Sequence, residues 1–267
     1  MYRSIQGTDS SHEDIIRVMC NIGNTYKLQK DYKQAEEWYR KPVDMLTQHH
    51  HPQTDHRDIA DALKQLGNFY SHIKRYDDAH KYLNKSLEMY QRIHGLDSKH
   101  KDIANLLLDM GSNCDSNSDH TAALEYELRA LDMYREVYGE DACHADIASA
   151  LQDIGFSYDK MSDYVTAEGY FSQVLTMYRK VYGKESNHVG IANTLGLLGE
   201  MKNRQKMYDE AEKLYQEALS TFKQIYGPDS NHKEIALLLK CLANNYKEAG
   251  EEDKAIAMYV ESLLMYR

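Results

Sequence analysis

Apolar residues recur along the chain in paired blocks, and a short polar segment separates the two blocks of each pair. Within a block the apolar positions follow the spacing i, i+3, i+4 and i+7, which gathers them on one face of an α-helix. No stretch of sequence shows the strict alternation of apolar and polar residues that is typical of a half-buried strand. The pattern predicts an all-α protein in which each pair of blocks forms a helical hairpin.

The hairpin repeats every 44 residues, without an insertion or a deletion. Histidine recurs at this interval, at His12, His56, His100, His144, His188 and His232. A small residue recurs once in each helix, at Gly23, Gly67, Gly111, Gly155, Gly199 and Ala243, and at Ala35, Ala79, Ala123, Ala167, Ala211 and Ala255. Small residues at a fixed place let the backbones of two helices approach closely. Hairpins repeated at such a period stack on their neighbours, so we predict an α-solenoid of antiparallel helical hairpins.

The period also predicts the domain organisation. We expect one solenoid over residues 1–267, in which residues 1–11 are the end of a preceding second helix and a linker. The repeats are expected at residues 12–55, 56–99, 100–143, 144–187, 188–231 and 232–267, the last one truncated.

Two local features carry specific expectations about the helices. Cap-forming residues precede the periodic histidine in four repeats and are expected to start the first helix: Ser11, Asp55, Asn187 and Asn231. Pro42 lies inside the second helix of the first repeat. Proline has no backbone N–H and its ring clashes with the preceding turn, so we expect a break or a kink there.

The order of residues within the unit resembles the tetratricopeptide repeat. In the second repeat it includes Leu63, then Leu66 followed by Gly67, then Tyr70, and then Tyr-x-x-Ala over residues 76–79. The leading His-x-Asp-Ile-Ala is similar to the kinesin light chain subtype. The resemblance covers essentially the whole chain. It implies a right-handed superhelix whose first helices line a concave face, with protein–protein interaction as the function.

Composition and charge exclude several other classes of protein. The net charge of −10 argues against a surface that tracks nucleic-acid phosphates, which would need clustered lysine and arginine. The longest apolar runs are far shorter than a membrane span, so we expect no membrane partner. The four cysteines lack CxxC spacing, as expected for reduced thiols in a cytoplasmic protein.

The candidate chemistry does not suggest an enzyme. Equivalent histidines on stacked helices would lie roughly 8–10 Å apart, whereas zinc ligands each lie about 2 Å from their ion, so the six cannot share a metal. They are better explained as structural residues at helix starts. We find neither a glycine-rich phosphate loop nor a nucleophile elbow, and we predict no catalytic residue, metal or cofactor.

The candidate site is the face that the first helices would present to the inside of the superhelix. Its expected residues are Asn24, Lys27, Lys64, Asn68, Asp109, Asp153, Phe156, Asp159, Glu200, Arg204, Asn244 and Lys247. Polar and amide side chains suit hydrogen bonds to an extended peptide backbone, and Phe156 is a candidate apolar anchor. The central acidic residues favour a ligand with basic residues near its middle.

These expectations lead to a function and a rival. The leading hypothesis is an adaptor or scaffold domain, a fragment of a larger protein, that binds a peptide or helix of a partner along the concave groove. The rival is a sensor or regulatory repeat domain of a multidomain signalling receptor, packed against its own nucleotide-binding or effector domain. Because the chain starts and stops at the same place in the repeat, uncapped ends could also associate end to end.

Overall fold

The structure is a computed structural model that describes residues 10–49, 56–184, 186–227 and 230–266. Within these ranges it contains twelve α-helices and no strand, so the predicted all-α fold class is confirmed. The helices are α1 Ser10–Leu28, α2 Tyr32–His49, α3 Arg57–His72, α4 Tyr76–His94, α5 Lys101–Ser116, α6 His120–Tyr138, α7 Ala145–Lys160, α8 Tyr164–Tyr182, α9 Val189–Arg204, α10 Tyr208–Tyr226, α11 Lys233–Glu248 and α12 Glu252–Leu264.

The helices form two compact units, over residues 1–140 and 141–267. In the first unit, each of α1, α3 and α5 packs on the second helix of its own hairpin, and α2 and α4 pack on the first helix of the next. The second unit repeats this arrangement with α7 to α12. The expected boundaries at residues 1–9 and 50–55 lie outside the described residues.

The small residues of the repeat lie where two helices cross. At Gly67, an added Cβ atom would come within 2.8 Å of Leu83, which is fully buried on α4. Ala79 and Tyr70 are fully buried as well. Glycine at this place lets α3 and α4 approach until their larger apolar side chains interlock. The periodic tyrosines are therefore part of the core.

The periodic histidine is itself the N-cap of the first helix in five repeats, from His56 to His232. Its backbone is extended, and in four repeats its Nδ1 accepts the N–H two residues on, at 3.1–3.2 Å. The expectation that Asn187 and Asn231 are the caps was therefore wrong by one residue. The structural role proposed for the histidines is confirmed at these four positions. An imidazole nitrogen fills the place of the usual oxygen acceptor.

A left-handed residue joins the two helices of each hairpin. Five of these residues are not glycine: Lys30, Lys74, Ser118, Ser162 and Lys206, with φ of 62–65°. In the second repeat the following amide, Arg75 N–H, donates to Tyr70 O at 2.9 Å, closing the helix end as in a Schellman turn. Four second helices, α4, α6, α8 and α10, end at glycine instead. Gly95, which follows α4, has φ of 101°, a conformation that other residues rarely adopt.

Pro42 is accommodated inside a continuous helix. α2 runs from Tyr32 to His49 and the proline is buried within it, so the predicted break was wrong, and the alternative of a kink stays a prediction. Proline lacks only the amide that would bond the carbonyl of Trp38. Packing of the surrounding turns maintains the helix despite that loss, as tertiary contacts commonly override local propensity.

Candidate functional site

The second unit contains an apolar pocket between the first helices of its three repeats. The pocket has a volume of about 440 Å³. Residues of α7, α9 and α11 form most of its wall, together with one residue of α10. They are Gln152, Phe156, Ala192, Asn193, Gly196, Leu197, Glu200, Phe222, Glu234, Leu237, Leu238 and Cys241. This size falls within the range of ligand pockets.

Three of the lining residues are apolar at places where other repeats are polar. Leu237 is 52% exposed, and its equivalents one repeat apart are Arg17, Asp61, Asn105, Ser149 and Asn193. Leu197 is half-buried, and its equivalents in the first four repeats are Asn21, Gln65, Asp109 and Asp153. Phe156 is 38% exposed in a slot that carries Asn24, Asn68, Ser112, Glu200 and Asn244 elsewhere. Because the repeats share one architecture, these apolar residues are not required for folding.

Gly196 opens the floor of the pocket. The equivalent residues of the other repeats all carry a side chain: Cys20, Lys64, Leu108, Gln152 and Lys240. A Cβ atom added at Gly196 would lie 3.3 Å from Leu238 Cδ1. Glycine in a helix interior costs about 1 kcal/mol relative to alanine. Here it removes the atoms that would fill the pocket.

Phe156 is held in place by the core beneath it. Its ring meets Phe171 edge-on, with 5.3 Å between ring centroids and 66° between ring planes. Phe171 is fully buried on α8. Edge-to-face contacts of this kind stabilise a defined ring orientation. The exposed edge of Phe156 is therefore presented by a rigid support.

A polar pocket of about 340 Å³ adjoins the apolar one and shares Glu200 and Cys241 with it. Arg204 lies in this second pocket, where its guanidinium is 3.0 Å from Glu200 and 3.8 Å from Asp159. Asn203 donates to Glu248 at 3.0 Å. Arg204 thus lies among the acidic residues and offsets part of their charge.

Burial changes the acid–base behaviour of two residues on this face. It raises the pKa of the Cys241 thiol to about 11, so the thiol stays protonated and weakly nucleophilic at neutral pH. Burial also raises the pKa of Asp159, although the nearby Arg204 opposes that effect. Neither shift points to an activated catalytic group.

The corresponding face of the first unit is polar and self-paired. Asp109 is hydrogen-bonded by Asn68 and lies near Lys64, and both lower its pKa, but burial outweighs them and raises it. Lys64 also pairs with Asp61 at 3.4 Å. Asp61 in turn accepts a hydrogen bond from Tyr90 at 2.5 Å.

Two predicted groove residues have structural partners in their own hairpins. Tyr39 donates its hydroxyl hydrogen to Asn24 Oδ1 at 2.6 Å, and Tyr259 donates to Asn244 Oδ1 at 2.5 Å. These amides hold the second helix against the first and have less capacity left for a ligand. The remaining predicted residues lie on first helices, half-buried or exposed: Lys27, Asp153 and Lys247.

Sequence reasoning found Phe156 and Glu200 but left Gly196, Leu237 and Glu234 out of the candidate site. Comparison of equivalent positions between repeats contains the missing signal, because Leu237 and Gly196 both depart from their slots.

One cluster in the described part of the chain brings three possible metal ligands together. His94 Nε2 and His100 Nδ1 lie 3.7 and 3.5 Å from Asp102 Oδ2. The two imidazole rings stack face to face, 3.7 Å apart and 12° from parallel. An ion binds a ring nitrogen in the plane of the ring at about 2 Å, and parallel rings cannot both point at it. Asp102 also pairs with Arg57 at 3.1 Å, so the cluster is better explained as a packed contact between α4 and α5.

This contact recurs with tyrosine in place of the first histidine. Tyr182 stacks on His188 with 3.6 Å between centroids, and Tyr226 stacks on His232 with 3.5 Å. In the first unit, burial lowers the pKa of His94, and His100 lowers it further. His94 is therefore neutral at pH 7 and packs as an aromatic ring.

None of the helices in the described ranges is both long and apolar enough to cross a membrane.

The helical hairpins, their small-residue crossings and their stacked order define the class of the protein as a helical repeat. Models of the tetratricopeptide repeat match residues 58–136, 102–180 and 190–267, and a second such model matches residues 16–45. The matches include well over half of the chain, which therefore belongs to the tetratricopeptide repeat family. No match was found among curated proteins.

Solved structures share this fold at low sequence identity. BtubC (BKLC) from P. vanneervenii is 16% identical with a TM-score of 0.69, and the match covers 97% of this chain and 92% of that one. A kinesin light chain-type protein of Podosopora anserina with nearly identical TPR-like repeats is 15% identical with a TM-score of 0.66, over 80% and 97% of the two chains. A Rap protein complexed with Competence and Sporulation Factor is 17% identical with a TM-score of 0.57, over 97% and 77%. These likenesses confirm the tetratricopeptide solenoid and its kinesin light chain-like character at the level of fold.

Proposed function

We propose that this protein is a scaffold that binds a peptide or helix of a partner protein along the face formed by its first helices. The observation that supports this most directly is the apolar pocket around Phe156, Leu197 and Leu237, on a helix face that is otherwise polar. An apolar cavity with polar groups beside it is the usual form of a binding site. The fold is a protein-interaction scaffold, and one similar structure, the Rap protein, was solved as a complex.

The chemistry of this face suits recognition of a polypeptide. Exposed aromatic and aliphatic side chains of the protein can bury an apolar side chain of a peptide, which supplies binding energy. Amides and carboxylates near them can form hydrogen bonds with the peptide backbone. Asn193, Gln152 and Glu200 supply such groups around the pocket. Binding of this kind requires neither a cofactor nor a catalytic residue.

The test is binding by the folded protein to synthetic peptides, with Phe156→Ser compared with the wild type. The third repeat has Ser112 at the equivalent position, so serine is compatible with the repeat fold. Val165→Ser is the matched control, because it removes an exposed apolar side chain from α8, a second helix. We expect only Phe156→Ser to weaken binding, by about tenfold. Equal loss in both variants would argue against the proposed face.

We also propose that α12 can associate with a second copy of the chain. Leu263 and Tyr266 are exposed, whereas the equivalent Leu219 and Phe222 of the preceding repeat are buried. A neighbouring hairpin would cover them as it does in the other repeats. Sedimentation should show concentration-dependent association that is reduced by Leu263→Ser. A monomer at every concentration would contradict this.

A further inference from the structure

We propose that the pocket among α7, α9 and α11 is a specificity pocket that takes one large apolar side chain of a peptide, with a lysine or arginine beside it. This inference rests on the proposed function and adds the chemistry of the ligand. It follows from the shape of the pocket, from its charges and from the repeats that lack it.

The apolar preference follows from where the departures from the repeat pattern meet. Phe156, Leu197 and Leu237 belong to three successive repeats, and each replaces a residue that is polar in most other repeats. All three line the same cavity. Exposed apolar surface is unfavourable in water unless another apolar group covers it. Three such residues on one cavity indicate a shared occupant.

The size of the occupant follows from Gly196. Every other repeat has a side chain at this position of the helix, and in the preceding repeat it is the glutamine side chain of Gln152. Because Gly196 has no side chain, the space that a glutamine would occupy at this position is left to the pocket, whose volume is about 440 Å³. A deep apolar pocket favours a large aromatic or branched aliphatic side chain.

The basic neighbour follows from the charges of the wall. The twelve lining residues include two carboxylates, Glu200 and Glu234, and no lysine or arginine. Glu200 already pairs with Arg204. Glu234 lies beside His232, with 2.5 Å between its Oε2 and the histidine Nδ1. A carboxylate fixed at the rim of an apolar pocket attracts a cation and selects against an anion.

A peptide fits this site better than a small compact ligand because the pocket does not stand alone. The polar pocket that contains Asn203, Arg204 and Glu248 shares part of its wall with the apolar one. An extended chain can place one side chain in the apolar pocket and its backbone or next residue in the polar one.

The experiment selects ligands from a displayed library of random dodecapeptides on the full chain and measures the affinities of the selected peptides. Three variants change the pocket by using residues that neighbouring repeats already tolerate or by removing one charge: Leu237→Asn copies Asn193, Gly196→Gln copies Gln152, and Glu234→Gln removes the carboxylate. Val165→Asn is the matched control, since it removes an exposed aliphatic side chain from α8, away from the pocket. Circular dichroism and thermal melts establish that each variant is folded.

We expect the selected peptides to share one large apolar residue with lysine or arginine within two positions. Leu237→Asn and Gly196→Gln should each weaken their binding by about tenfold or more. Glu234→Gln should reduce the advantage of the basic residue, by roughly threefold to tenfold, and leave the apolar preference intact. Val165→Asn should change nothing.

The outcomes separate this inference from the proposed function. Peptides that bind the wild type and bind both pocket variants equally well would overturn the specificity pocket and leave the scaffold function standing. Selected peptides with an acidic neighbour would overturn the charge assignment. Binding of indole alone with the affinity of the peptides would show a small-molecule pocket. If no peptide is enriched on the wild type, the proposed function fails together with the inference.

Discussion

The faces formed by the first helices of the two units, called the inner faces below, are built on equivalent helices but present different chemistry. In the first unit, polar side chains pair with one another, as Asp61 does with Lys64 and Tyr90. In the second unit, Phe156 and Leu237 are left exposed beside a cavity. The buried slots that determine the fold are alike in both units. The inner face can therefore differ between repeats while the buried slots that determine the fold stay alike.

The largest expected effect is a difference in the free energy of unfolding between a core variant and a surface variant of the second unit. Phe171→Ala removes a fully buried ring and should lower the free energy of unfolding by about 3–5 kcal/mol. Phe156→Ala touches the same ring from the exposed side and should cost under about 1 kcal/mol. Urea unfolding followed by circular dichroism measures both. Similar losses would show that Phe156 belongs to the core, and the comparison of the two inner faces would then lose its basis.

A smaller effect compares two glycines of α9. At Gly199 an added Cβ atom would lie 2.8 Å from the rigid ring of Tyr215, so Gly199→Ala should destabilise the protein by about 1–2 kcal/mol. At Gly196 the nearest atom is a leucine methyl at 3.3 Å, which can yield. Gly196→Ala should therefore stabilise the helix by up to about 1 kcal/mol.

The second half of that comparison tests function as well as packing. If Gly196 is kept for the space it leaves, Gly196→Ala should raise the melting temperature and weaken peptide binding together. A variant that is more stable and binds equally well would show that the glycine has no role in the pocket.

The fold could be predicted because a regular period repeats the same information six times. Gly67 and Ala79, for instance, predicted a close helix crossing that the structure contains. The cap was harder to place, because His56 uses a ring nitrogen where capping rules expect an oxygen. The break expected at Pro42 is absent, because packing around a helix can maintain it where the local sequence does not favour it.

The candidate site could be predicted only in part. Phe156 is visible in the sequence as an aromatic in a polar slot, and the structure places it at the wall of the pocket. Asn24 and Asn244 appeared equally available for a ligand, but each bonds a tyrosine from the neighbouring helix. Such hydrogen bonds depend on how one helix is rotated against another, and the periodicity of a single helix does not predict that rotation.

The polar face of the first unit offers a further test through Asp109. Burial raises the pKa of this carboxyl, so the folded state disfavours its charged form. Asp109→Asn should therefore increase the free energy of unfolding at pH 7. The gain should shrink as the pH falls through the raised pKa and vanish below the pKa of the unfolded state, where the wild-type residue is protonated in both states. A gain that does not change with pH would refute the explanation by burial.

The smallest expected effect lies where one hairpin meets the next, at His94 in the first unit and Tyr182 in the second. Burial lowers the pKa of His94, and the adjacent His100 and Arg57 lower it as well, while Asp102 opposes them. A histidine with a lowered folded pKa stabilises the protein less as the pH falls below its unfolded value of about 6.5. We therefore expect His94→Tyr to gain stability relative to the wild type between pH 7.5 and pH 5.

The reciprocal substitution makes the comparison complete, because the second unit already has tyrosine in this slot. Tyr182→His would place an imidazole against His188, and the residue equivalent to Asp102 there is Gly190, which has no carboxylate to oppose protonation. This variant should lose more stability on acidification than the wild type does. Denaturant unfolding of both variants at several pH values measures how the free energy of unfolding of each changes with pH. If His94→Tyr follows the wild-type pH dependence, His94 is not the group that titrates, and the stacked contact between hairpins is insensitive to which ring it contains.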